Sequence, residues 1–456
     1  MCDFDTGTHR MAPAGRSQSE APVLDLDDLV SYAGVVAKGE EWRSPNVGFI
    51  GYGRTKPGDR ILLAVDTHYD HRVVEAFARA LRDKGAKVDV MVVDAGQNRE
   101  FDDLDEIRVV MRRRHWREEP RRWEGIPWIE DLARSHKYDL LIHGKGGPTP
   151  ATDHRYEQVP WLLPEHLAAG STTFPRELHQ LINEKTWSKI WTQGRGGRVR
   201  LTDPEGTDLS FTLLEDYYGG DRRGFGEAPL GWYGHLFGHA PPPFVDREDA
   251  TGVVAGTTSH YARPFKQVKV SVERGRVEKI EGGGRYGEAW RELWEESRNT
   301  QYPCFPRPGL FWIWEMAIGT NPKIVRPRNI HELTSGGFEW ERRRSGVIHV
   351  GFGTRWRGPE EEWAAERGLV YGHLHIHLLL PTYRLTTKRG EAVTVIENGH
   401  LTALDDPEVR KLAAEFGDPD QLLSEDWIPA IPGITTGGSY SEFAQDPTRW
   451  IYPKRP

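Results

Sequence analysis

Apolar residues along this chain fall into two textures. In the first, buried-strand runs alternate with helical periodicity. Arg60-Ile61-Leu62-Leu63-Ala64-Val65-Asp66 and Lys87-Val88-Asp89-Val90-Met91-Val92-Val93-Asp94 read as strands, and between them Val73, Val74, Phe77 and Leu81 recur at helical spacing until Gly85 stops the run. That order predicts a βαβ unit with parallel strands and a right-handed crossover. A helix over residues 25–38 precedes it, and Tyr138-Asp139-Leu140-Leu141-Ile142-His143-Gly144 supplies a further buried strand.

Near Gly194-Arg195-Gly196-Gly197 the pattern becomes glycine-punctuated and strand-rich. Arg198-Val199-Arg200-Leu201 and Asp208-Leu209-Ser210-Phe211-Thr212-Leu213 predict a hairpin about Asp203-Pro204-Glu205-Gly206. Further strands are expected at 267–272, 277–280, 311–318, 347–352, 374–380 and 393–396, with Asn398-Gly399 as a type I′ turn. Helices are expected at 286–298 and 407–416. The predicted fold class is α/β: a mobile N-terminal tail (1–22), an open doubly wound α/β domain (23–192) and a mixed, β-rich metal-binding domain (193–456). A length of 456 residues also asks for two or three domains.

Composition narrows the function classes. With 37% hydrophobic and 28% charged residues, the chain has material for real cores. A net charge of −8 argues against nucleic-acid binding, and Arg112-Arg113-Arg114 reads as a solvated helix face. Only Cys2 and Cys304 are present, which excludes a disulfide framework and fits a cytoplasmic setting. No segment reads as a signal peptide or membrane span, so no membrane partner is expected. No G-x-G-x-x-G follows the first strand, and a dinucleotide is not indicated.

Candidate chemistry concentrates in the second texture. In His373-Leu374-His375-Ile376-His377, alternate side chains of a strand share a face, so His375 and His377 are placed to hold one cation. Glu315 and His349 each lie inside an apolar strand ending in glycine, where an unsatisfied polar group would be costly. His349, His375 and His377, with Glu315 as fourth ligand or supporting partner, therefore form the predicted metal set. Imidazole favours a borderline transition metal over Mg or Ca. Histidines satisfied within the core are the competing reading. Trp312, Trp314 and Trp340 flank these residues as a wall for a planar substrate, although most of the 17 tryptophans are expected to fill cores. His235-Leu236-Phe237-Gly238-His239 has zincin-like spacing but no activating glutamate, which leaves His239 as a loop residue near substrate. Asp66, His68, Tyr69 and Asp70 occupy the carboxyl end of the first strand, a common ligand position, but Asp70 suits a helix N-cap better.

The ordered series Gly206-Thr207-Asp208-Leu209, Glu315-Met316-Ala317-Ile318-Gly319-Thr320-Asn321-Pro322, Gly346-Val347-Ile348-His349-Val350-Gly351-Phe352-Gly353 and His375-Ile376-His377 resembles the M29 (aminopeptidase T, thermophilic metalloprotease) superfamily. That group includes a 2,5-dihydroxypyridine 5,6-dioxygenase branch. Lys56-Pro57-Gly58-Asp59 and the strand after it are similar to its opening strand, so the resemblance spans most of the chain. It implies a metal-bearing C-terminal domain and a homodimer. It also implies that Glu315, His349 and His375 match metal ligands, with His377 standing where the family has an aspartate. A two-metal hydrolase needs bridging carboxylates, which imidazole cannot replace. The dioxygenase-like branch is therefore the better model.

The expected function is a mononuclear non-haem iron oxygenase using Fe(II) and O2 on a hydroxylated aromatic or N-heterocyclic ring, with His373 and Tyr383 as candidates for proton transfer. The alternative is a metallo-aminopeptidase or amide hydrolase with Zn, Mn or Co, bridged by Glu248 or Asp246. A non-catalytic metal-binding scaffold is the third reading.

Overall fold

The computed structural model describes residues 24–39, 42–44, 47–50, 52–67, 69–93, 104, 107, 110–115, 131–132, 135–144, 156–159, 161–213, 215, 235–236, 248–259, 262–326, 341–354 and 358–451. Helix α1 (Leu26–Lys38) starts at Asp25, whose carboxylate accepts from the Asp28 backbone N–H while Asp28 returns the bond, a reciprocal cap. Leu29, Ala33, Val36 and Ala37 form its buried stripe. Strands β1 (Trp42–Ser44) and β2 (Val47–Ile50) make a short antiparallel pair. Strand β3 (Arg60–Asp66) then leads into α2 (His71–Asp83), and β4 (Lys87–Val93) follows. Gly85 turns the chain between α2 and β4 with φ +85°, a conformation that favours glycine.

With β5 (Leu140–Gly144) and β6 (Tyr156–Val159), these strands form a parallel sheet of order β4-β3-β5-β6. Both faces of β3 are covered. Ile61, Leu63 and Val65 join the core with α1 and α2, while Leu62 and Ala64 meet Leu141 on the other side. The strand order reverses between β3 and β5, where open α/β sheets bind ligands at the carboxyl ends. Here Tyr69 lies against the ends of β5 and β6. Its hydroxyl donates to the Val159 carbonyl at 2.7 Å, and its ring lies 3.0 Å from where a Gly144 Cβ would stand. Asp70 caps α2 through the Arg72 backbone N–H, as its sequence position suggested; His68 lies outside the described residues.

The remaining strands build two antiparallel sheets. Strands β7 (Arg198–Asp203) and β8 (Thr207–Thr212) form the expected hairpin. The others are β9 (His235–Leu236), β10 (Thr251–Thr258), β11 (Pro264–Glu273), β12 (Arg276–Gly282), β13 (Ile313–Gly319), β14 (Ile348–Gly353), β15 (His373–Leu378), β16 (Thr382–Thr386), β17 (Ala392–Glu397) and β18 (His400–Leu401). The larger sheet has the order β12-β11-β10-β8-β7-β16-β17-β18 and the smaller one β15-β14-β13-β9. Asn398 and Gly399 both have positive φ, as a type I′ turn requires. The sheets share one apolar core, to which Leu178, Ile182, Ile190 and Trp191 also contribute. Strands β13 and β14 are buried along their whole length, so any polar side chain they carry has to find partners inside the protein. No helix among the described residues is long and apolar enough to cross a membrane.

Candidate metal centre

The smaller sheet gathers the polar residues of its inner strands on one face. In the antiparallel pairing of β14 with β15, His349 stands opposite His377, Gly351 opposite His375 and Gly353 opposite His373. On the other side of β14, Glu315 of β13 pairs with Gly351. Glu315 and His375 thus flank a glycine on the middle strand and meet above it. A Cβ on Gly351 would lie 2.9 Å from His375 Nε2, 3.0 Å from Glu315 Cβ and 3.1 Å from Glu315 Oε2. The missing side chain is what lets the two groups approach.

A register shift between Ile313 and Glu315 sets the other half of the geometry. Ile313 opposes Phe352, while Glu315, two residues on, opposes the adjacent Gly351, so Trp314 is the extra residue of a β-bulge. Simple alternation would send Trp314 and Glu315 to opposite faces. The bulge instead brings the Trp314 indole against His373, with ring centroids 5.0 Å apart and planes at 73°.

Glu315 is the hub. Its Oε1 accepts from His349 Nε2 at 2.9 Å and its Oε2 from His375 Nε2 at 2.8 Å. His349 and His375 are fully buried, and Glu315 is 8% exposed. Burial holds the His349 imidazole well below its ordinary pKa despite the neighbouring carboxylate, so the ring is neutral and donates one proton to Glu315. His373 stacks edge-on to His375 at 4.7 Å, and His349 lies 5.8 Å from His377 between ring centroids. The Nδ1–H of His373 donates to the Thr354 carbonyl at 3.0 Å, which directs Nε2 toward the cluster.

Among the described residues, the group whose ligand atoms converge is Glu315, His373 and His375, all within 4.8 Å of one another. Two imidazoles and a carboxylate suit a divalent transition metal, and the glycine at 351 lets His375 and Glu315 approach one another. The sequence-predicted ligands therefore share one face, but His373, expected to transfer protons, takes its place among the convergent donors. His377 lies next to His349 on that face. Strand alternation already held this signal, because residue 373 faces the same way as residues 375 and 377.

Other expected site residues fall elsewhere. Tyr383 is not brought to the cluster, because the chain leaves the smaller sheet after β15 and β16 joins the larger one, where Tyr383 packs edge-on against Phe211. Trp312 is fully buried, stacked on Phe305 at 5.7 Å with the Arg307 guanidinium 5.0 Å from its ring. Core packing absorbs it. Glu248, a bridging candidate for a hydrolase, is held by Arg307 at 2.8 Å and Arg274 at 3.3 Å. His239, Trp340 and Asp246 lie outside the described residues. Thr354 and Gly351 carry no signal of a role in the sequence, since neither is a metal-ligand type.

No protein-family model matches the chain, and no curated protein does. Among solved structures, the chain is similar to a 2,5-dihydroxypyridine dioxygenase from Pseudomonas putida KT2440, with 14% identity, a TM-score of 0.43, and coverage of 83% of this chain and 98% of that one. It is also similar to wild-type AmpT from Thermus thermophilus, with 14% identity, a TM-score of 0.45, and coverage of 82% of this chain and 98% of that one.

Proposed function

We propose that this protein is a mononuclear non-haem iron oxygenase acting on a hydroxylated aromatic or N-heterocyclic ring, with Glu315, His373 and His375 as the metal-holding set. The observation that carries this reading is the convergence of two imidazoles and one carboxylate on one face of the smaller sheet. Such a set on one side of an ion leaves positions for substrate and O2. When bound, Fe(II) would supply a Lewis acid and a one-electron centre for O2 chemistry. The protein supplies the rest. His349, neutral and buried, donates to Glu315 Oε1 and fixes the carboxylate's orientation. Trp314, delivered by the bulge, forms an apolar wall beside His373 that suits a planar ring. Burial of β13, β14 and most of β15 keeps bulk water from the inner donors.

A metallo-aminopeptidase or amide hydrolase with Zn, Mn or Co is the second reading, favoured by one fact: two histidines and a glutamate also serve mononuclear zinc hydrolases. Its two-metal form needs a bridging carboxylate, and Glu248 is engaged by two arginines instead. The test is anaerobic loading with Fe(II) or Zn(II), followed by O2 uptake with dihydroxypyridines and aminophenols and by amino-acid release from short peptides. O2 uptake with the iron form alone supports the proposal. Peptide cleavage by the zinc form without any O2 consumption overturns it.

A further inference from the structure

We propose that Thr354 is a positioning residue for the metal centre, its carbonyl fixing the His373 ring and its hydroxyl, anchored on Glu361, holding that carbonyl in place. The functional meaning of this inference rests on the metal-holding role given to His373 above.

Thr354 follows β14 directly and is fully buried. Gly353 and Gly372 let the ends of β14 and β15 come together: both have positive φ, and a Cβ on Gly353 would lie 2.1 Å from the Gly372 carbonyl oxygen. Across this close approach, the Thr354 backbone N–H donates to the Gly372 carbonyl at 2.9 Å, and the Gly372 N–H donates to Thr354 Oγ1 at 2.9 Å. The Thr354 hydroxyl proton then has two acceptors in reach, Glu361 Oε1 at 3.1 Å and the Gly372 carbonyl at 3.2 Å. Glu361 Oε1 is the nearer of the two. Glu361 is itself buried, at 4% exposure, which makes it a fixed anchor.

The carbonyl of Thr354 can only accept, so His373 Nδ1 has to be the donor in their 3.0 Å contact. A neutral imidazole with its proton on Nδ1 presents a lone pair at Nε2, the form a metal needs. The neighbouring turn is held from outside as well. Arg112 and Tyr371 exchange two backbone hydrogen bonds, at 2.8 and 2.7 Å, just before His373. His373 is the partly exposed member of the convergent set, and its ring lies against Trp314 and His375 while this bond sets which nitrogen carries the proton.

The test compares wild type with Thr354→Val, which keeps shape and loses the hydroxyl, and Thr354→Ser, which restores it; Thr354→Ala replaces the first variant if that one does not fold. Two quantities are read: the His373 tautomer by ring-nitrogen NMR of the metal-free protein, assigned against His373→Ala, and Co(II) affinity by visible absorption. The expected result is a pure Nδ1–H tautomer in wild type and Thr354→Ser, a tautomer mixture in Thr354→Val, and Co(II) binding weakened about 10–100-fold in Thr354→Val alone. An unchanged tautomer in Thr354→Val overturns the inference, as does unchanged Co(II) affinity. Failure of wild type to bind Co(II), or equal binding by His373→Ala, instead removes the metal reading, while the tautomer result still decides whether Thr354 orients the ring.

Discussion

Replacing Gly351 with alanine probes the geometry at its tightest point. The added methyl would stand 2.9 Å from His375 Nε2, 3.0 Å from Glu315 Cβ and 3.1 Å from Glu315 Oε2. Comfortable contact for carbon begins at about 3.5 Å, so each neighbour has to retreat by roughly half an ångström. Retreat of the carboxylate stretches its bonds to His349 and His375, now 2.9 and 2.8 Å. Overpacking a buried site costs about 1–3 kcal/mol, and a buried donor left without its acceptor costs about 1–3 kcal/mol. Against this, alanine gains about 0.4–1 kcal/mol from the stiffer unfolded chain. The expected net effect is a loss of about 2–4 kcal/mol in the metal-free protein. Gly437→Ala is the control, because a Cβ there meets nothing within 4 Å. Urea denaturation of both variants with titration of Co(II) reads the outcome. Equal stability of the two variants, with Co(II) affinity like wild type in Gly351→Ala, refutes the reasoning.

Three further outcomes follow from the same interactions. Glu315→Ala removes the shared acceptor of two buried imidazoles and is expected to cost about 2–5 kcal/mol in the metal-free protein by denaturation, besides abolishing metal binding. Glu205 is buried beside Asp203, and burial first, then the neighbouring acid, push its carboxyl above the ordinary range, to about 8. A raised acid pKa means that the folded state binds the extra proton, so stability falls as pH rises from about 5 to about 8. Melting curves across that window should decline less steeply for Glu205→Gln than for wild type, and equal slopes refute the assignment. For His400, burial opposes the charged form, but bonds to Asp405 and Glu425 outweigh it and raise the pKa to about 9. Its stabilisation is complete below about pH 6.5 and is lost as pH rises through about 9. His400→Ala should therefore destabilise more at pH 6 than at pH 10, and an equal loss at both would count against the ion pairs.

Local pattern reads well where one rule governs it. The helical spacing of Val73, Val74, Phe77 and Leu81 and the capping role of Asp70 give α2 as found, and the run of apolar residues in β3 needs cover on both faces, which it has. Strand alternation likewise places the histidines of β15 on one face. What the sequence does not disclose is long-range. A β-bulge at Trp314 reverses the alternation that would separate it from Glu315, and nothing in the residues 313–315 announces the shift. Tyr383 follows the histidine strand closely in sequence, yet belongs to another sheet, because strand pairing is decided by partners far along the chain. The glycines and threonines of β10 give an alternation too weak to mark it as a strand, although it pairs with β8 and β11. The positioning bond from His373 to Thr354 spans a main-chain carbonyl, which every residue carries.

A single metal held by Glu315, His373 and His375 fixes how many iron atoms each chain can carry. Anaerobic reconstitution with Fe(II), followed by counting iron per chain in wild type, His373→Ala, His375→Ala and His377→Ala, tests it most directly. One iron per chain is predicted for wild type and His377→Ala, and none for His373→Ala and His375→Ala. Two ions per chain, or iron kept by His373→Ala and lost by His377→Ala, would contradict it and return the ligand role to His349, His375 and His377.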